Sequence, residues 1–193
     1  ISKGFLQQAK ENARKNINAL LPYAKDGIPI VGIEPSCILS FKDDYLDLLT
    51  GEDVQIVSDS VYMLEEFFAL KAREGDLDLC FSSETRKIWL HGNCHQKALI
   101  GTGDTLEVLR LPENFEVHEI PSGCCGMAGS FGYEKEHFEV SKAVGQTRLF
   151  DVIEQISDSD EVVAVGTSCR HQIADFTKRR ARHWTEVLAE VIE

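Results

Sequence analysis

The sequence predicts an α/β fold: a layered, largely parallel sheet with helices on both faces, built from pseudo-duplicated halves. Three observations carry this. Short apolar runs alternate with stretches of helical periodicity, the order of a βα-type layered fold. Two of those runs lead into the same turn: Ile30-Val31-Gly32-Ile33-Glu34-Pro35-Ser36-Cys37-Ile38-Leu39 parallels Val162-Val163-Ala164-Val165-Gly166-Thr167-Ser168-Cys169-Arg170-His171. Two copies are too few for a solenoid and read as an internal duplication. Finally, Cys37, Cys94, Cys124/Cys125 and Cys169 each fall just past the carboxyl end of an apolar run. In a parallel sheet those ends share the edge where open α/β folds place ligands, so cysteines distant in sequence converge.

The elements follow in order. Gly4 to Tyr23 carries Leu6, Ala9, Ala13, Ile17, Leu20 and Leu21 at helical spacing. Ile28 to Ile33 reads as a buried strand, and Pro35 to Leu49 as a second helix. Ser58 to Lys71 reads as a third, with Ser58 or Asp59 as N-cap. The acidic stretch Glu74-Gly75-Asp76 is a connection. Beyond it, Lys87–His91 is a strand running into Gly92-Asn93-Cys94, and Asp104–Leu111 is a short helix. Phe115–Ile120 is a strand running into Pro121-Ser122-Gly123-Cys124-Cys125-Gly126. Glu134–Ile153 is a long helix, Glu161–Val165 a strand, and Trp184–Ile192 the closing helix.

Length and charge narrow the function. At 193 residues the chain is near the ~100–200 of one domain. Lys and Arg total 20 against 32 Asp and Glu, a net charge of −12 and a pI near 4.9. That balance excludes the basic footprint of a nucleic-acid binder and argues against docking on an anionic membrane. No apolar run approaches the ~20 residues of a membrane span, and no signal peptide is visible. The chain begins at Ile1 without a Met and reads as a fragment, or a processed form, of something longer. A cytoplasmic protein is expected, or one peripheral to the inner membrane through its partners.

Six cysteines are the informative count. A chain of this size needs no disulfide staples, and adjacent Cys124 and Cys125 bridge each other only with strain. Thiolates are preferred ligands of iron–sulfur clusters and bind zinc well. Gly123 and Gly126 flank the pair, so the backbone can turn sharply beside a ligand. The spacings, with 29 residues between Cys94 and Cys124 and 43 between Cys125 and Cys169, are not those of zinc fingers. Buried, unliganded thiols are the plain alternative, and for Cys80, in Leu77-Asp78-Leu79-Cys80-Phe81, a core thiol is the expectation. A thiol–disulfide enzyme is a third reading, weakened by the missing C-x-x-C. His91, His95 and His171 lie within three residues of these cysteines and are ligands, proton carriers or hydrogen-bond partners that orient the site. The run Lys178-Arg179-Arg180-Ala181-Arg182-His183 reads as a solvated face or a contact with an acidic partner.

With these residues together, the chain resembles the CCG (cysteine-rich) domain family. Its members include the cluster subunit of heterodisulfide reductase and the iron–sulfur subunits of glycolate oxidase, anaerobic glycerol-3-phosphate dehydrogenase and lactate utilisation. The resemblance is strongest to the C-terminal Fe–S segment of FAD-linked oxidases of the D-lactate or D-2-hydroxyacid dehydrogenase type. It rests on Gly32–Cys37, His91–Lys97, the run Pro121-Ser122-Gly123-Cys124-Cys125-Gly126-Met127-Ala128-Gly129-Ser130-Phe131-Gly132, and Gly166–Gln172. The family pattern is a Cys, a Cys-Cys-Gly and a C-x-x-C, present twice.

By this resemblance, residues 1–75 are the C-terminal part of a first, truncated repeat and 76–193 the second, packed as one compact unit. Cys94, Cys124, Cys125 and Cys169 match the second copy and are implied to bind the cofactor metal. Cys37 matches the tail of the first. Gln172 and Ser40 stand where each C-x-x-C would have its last Cys. In place of a five-thiolate non-cubane cluster, the resemblance thus implies four thiolates for a conventional 4Fe–4S cluster, or a site completed by His171, His95 or Cys37. The implied role is electron transfer in an FAD-linked 2-hydroxyacid (lactate- or glycolate-type) dehydrogenase. FAD would sit elsewhere in the parent protein, and the chain has no G-x-G-x-x-G after a strand. The implied partners are a flavin-containing domain or subunit, a ferredoxin-like cluster domain, and a quinone or other acceptor. A structural zinc module and a disulfide-reducing site are the alternatives. Alone, the chain is not expected to be a complete enzyme.

Overall fold

Both sheets of the computed structural model, which describes Ile1 and residues 3–193, are parallel. The chain divides into two compact units, Ile1–Phe67 and Phe68–Glu193. In the first, α1 (Leu6–Lys25) buries Ala13, Ile17 and Ala24. After it come β1 (Ile30–Gly32), α2 (Pro35–Ile38), α3 (Asp44–Leu48), α4 (Glu52–Asp59) and β2 (Val61–Met63), which pairs with β1 from Ile30↔Val61 to Gly32↔Met63. Helix α5 (Leu64–Glu74) follows.

The second unit orders its strands β4-β3-β5, with β3 (Arg86–His91) between β4 (Phe115–Glu119) and β5 (Glu161–Ala164). Helices α6 (Cys94–Leu99) and α7 (Gly103–Leu109) connect β3 to β4. Helices α8 (Phe138–Gln146) and α9 (Phe150–Gln155) connect β4 to β5, and α10 (Thr167–Phe176) and α11 (Trp184–Ala189) close the chain. Strand alternation divides the core. Trp89, Val162 and Ala164 pack with Phe150 and Ile153 of α9 and Ile173 of α10, whereas Ile88, Leu90 and Val163 are fully buried on the opposite face.

The likeness of the two Ser-Cys segments extends to backbone path and capping. In the first unit, β1 turns into α2 with Ser36-Cys37 and the chain returns beside it as β2. In the second, β5 turns into α10 with Ser168-Cys169 and the chain returns in a parallel bridge, Val163↔Arg182. The helix that follows is pinned alike in both: the Met63 N–H donates to Glu66 Oε2 and the His183 N–H to Glu186 Oε2, each at 2.7 Å. In each case a Glu at the third helical position satisfies a backbone donor that the helix leaves over.

Several expected elements differ. The helix expected through Leu49 breaks after Ile38 into a 3-10 turn, where Ser40 Oγ donates back to Ser36 O at 3.0 Å, and α3 starts afresh beyond Asp43. The helix expected over Ser58–Lys71 is two helices with β2 between them, since Val61-Tyr62-Met63 suits a strand and α4 already ends at Asp59. The long helix expected over Glu134–Ile153 is one 3-10 turn, Lys135–His137, then α8, then α9. Thr147 Oγ1 bonds back to Ala143 O, and residues 147–149 form a turn between the two helices. The strand expected over Ile28–Ile33 shortens to β1 and is partly exposed, with Val31 at 38% and Ile33, just past β1, at 62%. Within its unit it has a sheet neighbour on one edge only.

Candidate metal centre

The register of the second sheet brings three strand ends level. Leu90 pairs with Glu119 of β4 and with Val163 of β5, so the loops leaving the three strands start side by side. The first carries Asn93-Cys94, the second Cys124-Cys125, and the third leads into α10 with Cys169. Of the strand ends expected to converge, these three lie together, while the one that carries Cys37 belongs to the first unit.

Asn93 ties two of the loops. Its Oδ1 accepts from the backbone N–H groups of His95 (2.9 Å) and Gln96 (3.3 Å), capping α6 and placing Cys94 at its first position. Its Nδ2 donates to Cys169 Sγ at 3.5 Å. Gly166 permits that approach: a Cβ there would lie 2.6 Å from Asn93 Nδ2 and 3.3 Å from Cys169 Sγ.

The Cys-Cys-Gly loop is fixed from the far side. Gly126 has φ +98°, and a Cβ on it would stand 2.0 Å from Ser141 O, so glycine is required on both counts. Its N–H donates to Cys124 Sγ at 3.3 Å, while its carbonyl accepts from Ser141 Oγ at 2.9 Å. Gln172, buried, donates from Nε2 to Ser141 Oγ at 2.7 Å. The residue that stands where a C-x-x-C would place its last thiol is therefore a clamp on the loop. On the other flank Lys97 Nζ donates to Ser122 O at 2.7 Å.

The thiols form a chain from core to surface. Cys169 and Cys125 are buried, Cys124 is half-buried and Cys94 is exposed. They share protons. A hydrogen bond from Cys125, with another from Cys94, holds Cys124 far below the usual thiol range. A hydrogen bond from Cys125 likewise holds Cys169 low against its burial, with help from His91 and Asn93. Conversely, bonding to Cys124 and burial push up the Cys94 thiol, and bonding to Cys124 and Cys169 pushes up Cys125. Thiolate charge is thus favoured at Cys124 and Cys169.

His91, the last residue of β3, is fully buried among them. Its Nε2, Cys125 Sγ and Cys169 Sγ lie within 4.8 Å of one another. That nitrogen has no oxygen or nitrogen partner among the described residues. Soft sulfur donors, an amide N–H aimed at one of them and a buried imidazole nitrogen without an oxygen or nitrogen partner among the described residues together fit a thiophilic metal or cluster.

The other candidates fall elsewhere. His171 is exposed, its Nδ1 2.6 Å from Tyr133 Oη, and His95 is half-buried on α6. Cys37 is exposed on α2 in the first unit. Cys80 is exposed too, which corrects its reading as a core thiol. Its segment is no sheet strand and meets the chain terminus through one bridge, Phe81↔Ile192. Much of the basic run is engaged within its own unit. Arg179 reaches Asp158 and the carbonyls of Ile156, Ser157 and Asp160, and Arg182 joins Glu161 and Glu190. Lys178 and Arg180 are exposed as expected of a solvated face, Arg180 with 82% of its side chain in solvent.

The chain is 30% identical over all 193 residues to the C subunit of anaerobic glycerol-3-phosphate dehydrogenase of Escherichia coli, of which it spans 48%. It is 28% identical over 192 residues, 99% of its length, to D-2-hydroxyglutarate dehydrogenase of the same organism, and 25% identical over 196 aligned residues to the Haemophilus influenzae enzyme of that name, spanning 18% and 19% of them. The chain therefore covers about half the length of the first relative and less than a fifth of the other two. No family model matches the chain, and no solved structure is significantly similar to it. What the chain is similar to throughout is a part of dehydrogenase proteins.

Proposed function

We propose that this chain is an electron-transfer module of an FAD-linked dehydrogenase acting on a 2-hydroxyacid or glycerol phosphate, and that Cys94, Cys124, Cys125 and Cys169 hold an iron–sulfur cluster of the 4Fe–4S type. The observation that carries this reading is the convergence of four thiols from three loops, with stabilised thiolates and a capped, glycine-fitted cradle. The similarity to parts of dehydrogenases supports it, as does the resemblance of the Cys-Cys-Gly run to the CCG family. In the same reading residues 1–75 belong to a first copy of the cysteine-rich repeat and 76–193 to the second, and the flavin, the ferredoxin-like clusters and the final acceptor belong to other domains or subunits.

When bound, the cluster supplies one-electron storage, and the protein supplies position and potential. Burial of Cys125 and Cys169 keeps water from one end of the site. The Gly126 N–H and the Asn93 amide donate to sulfur, which stabilises its negative charge and raises the reduction potential. Exposure of Cys94 leaves the other end open to a redox partner.

Anaerobic reconstitution of the chain with iron and sulfide tests the proposal. Retention of both, with a visible absorption band that bleaches on reduction, is expected. A colourless protein holding stoichiometric zinc would overturn it in favour of a structural metal module.

A further inference from the structure

We propose that His91 Nε2 is a direct nitrogen ligand of the metal in this site, beside the sulfurs of Cys125 and Cys169, and takes one of the outer positions that the thiols would otherwise fill. This inference rests on the reading of the convergent thiols as a metal centre and specifies its chemistry.

The argument begins with the hydroxyl of Ser122. Its Oγ lies 3.3 Å from Ile120 O, to which it donates, and 2.7 Å from His91 Nδ1. A hydroxyl has one hydrogen. When that hydrogen is directed to the Ile120 carbonyl, Ser122 Oγ accepts from the imidazole Nδ1. The lone pair is then on Nε2, on the side of Cys125 and Cys169. Metal-binding histidines are fixed in this way, with one ring nitrogen donating to an oxygen of the protein and the other bound to the metal.

Burial makes the assignment consequential. His91 has no solvent exposure, and its Nε2 has no oxygen or nitrogen partner among the described residues. A ring nitrogen buried without an oxygen or nitrogen partner needs an explanation, and a bound ion is one that accounts for it. The parity of β3 decides which way the ring points. His91 shares its face with Trp89, which packs on the cluster containing Cys125 and Cys169, whereas Leu90 faces the other way. The other candidates to complete the set are less well placed. Gln172 is committed to Ser141, and His171 is exposed beside Tyr133.

The test is nitrogen hyperfine spectroscopy on the whole chain, reconstituted anaerobically with iron and sulfide and reduced, comparing natural-abundance with 15N-histidine-labelled protein. A directly bound nitrogen that shifts on labelling and vanishes in His91→Ala is expected. His91→Cys replaces nitrogen with sulfur, so it should keep the iron while losing the nitrogen signal, which separates ligation from a packing role. Iron bound at the wild-type level without a strongly coupled nitrogen, or a signal surviving in His91→Ala, overturns the inference and leaves the thiolate site standing. Should the chain take up zinc alone, cobalt(II) replaces iron as the probe, and a ligand-field spectrum unchanged in His91→Cys overturns it equally. Failure to bind any of these metals removes the site itself, and the inference with it.

Discussion

The two Ser-Cys turns of this protein begin alike and end differently. Ser36-Cys37 and Ser168-Cys169 each follow a strand paired in parallel with a returning segment, and each opens a helix. Cys169 is nevertheless buried, bonded to Asn93 and close to Cys125 and His91, whereas Cys37 is exposed. The difference lies on the other edge of the strand. β5 has β3 beside it, and β3 delivers His91, Asn93 and Cys94 to the same level; β1 has no such neighbour within its unit. A cysteine after a strand becomes part of a site only where further strand ends meet it.

The sharpest break of the comparison is at the thiols themselves. Cys125→Ser should reduce iron retention by more than the ~10–100-fold typical of losing a supporting residue, while Cys37→Ser leaves iron per chain unchanged; elemental analysis after reconstitution decides. Next comes the loop that holds the pair. Gly126→Ala adds a clash with Ser141 O to an unfavourable backbone angle and should cost about 3 kcal/mol or more. Gly27→Ala in the first unit, at φ +74° with open space around it, should cost about 1 kcal/mol. Urea unfolding of the two variants measures the gap.

A smaller effect is expected at the clamp. Gln172→Ala leaves Ser141 without its buried donor and should destabilise by about 1–3 kcal/mol, with loosening confined to the Cys-Cys-Gly loop. Hydrogen exchange at Gly126 and Met127 reports it. Smallest is the charge network at the opposite ends of the strands, where Arg182 and then Arg86 pull the Glu190 carboxyl down from 4.5 to about 2. A carboxyl depressed in the folded state contributes stability that is full above its unfolded pKa and is lost as pH falls through the folded one. Wild-type stability should therefore decline between about pH 4.5 and 2 more steeply than that of Glu190→Gln, modestly because Glu190 is exposed. Acid titration of urea midpoints checks the sign.

Much of the site was legible in the chain because its signals are local. Apolar runs announced the parallel strands, and a cysteine after each run placed the thiols on one edge. The Gly-flanked pair announced a tight loop, whereas the capping role of Asn93 went unread. Long helices were read too generously. Helical spacing alone does not reveal that Ser40 and Thr147 turn their hydroxyls back onto the backbone, or that Val61–Met63 finds a strand to pair with. Cys80 was misplaced for a similar reason: apolar neighbours suggest burial, but burial needs a surface to pack against.

By itself, then, the sequence determined the α/β class, four of the five strands, the repeated Ser-Cys turn and the cysteines that follow β3, β4 and β5, since each follows from period, turn chemistry and the rule that parallel strands end on one edge. Tertiary structure alone decided the rest. It set β3 between β4 and β5, aimed His91 rather than His95 or His171 at the buried thiols, turned Gln172 into a clamp, and left Cys37 exposed. Those outcomes depend on which side of a strand a residue faces and on what stands across from it, and neither is a property of the local sequence.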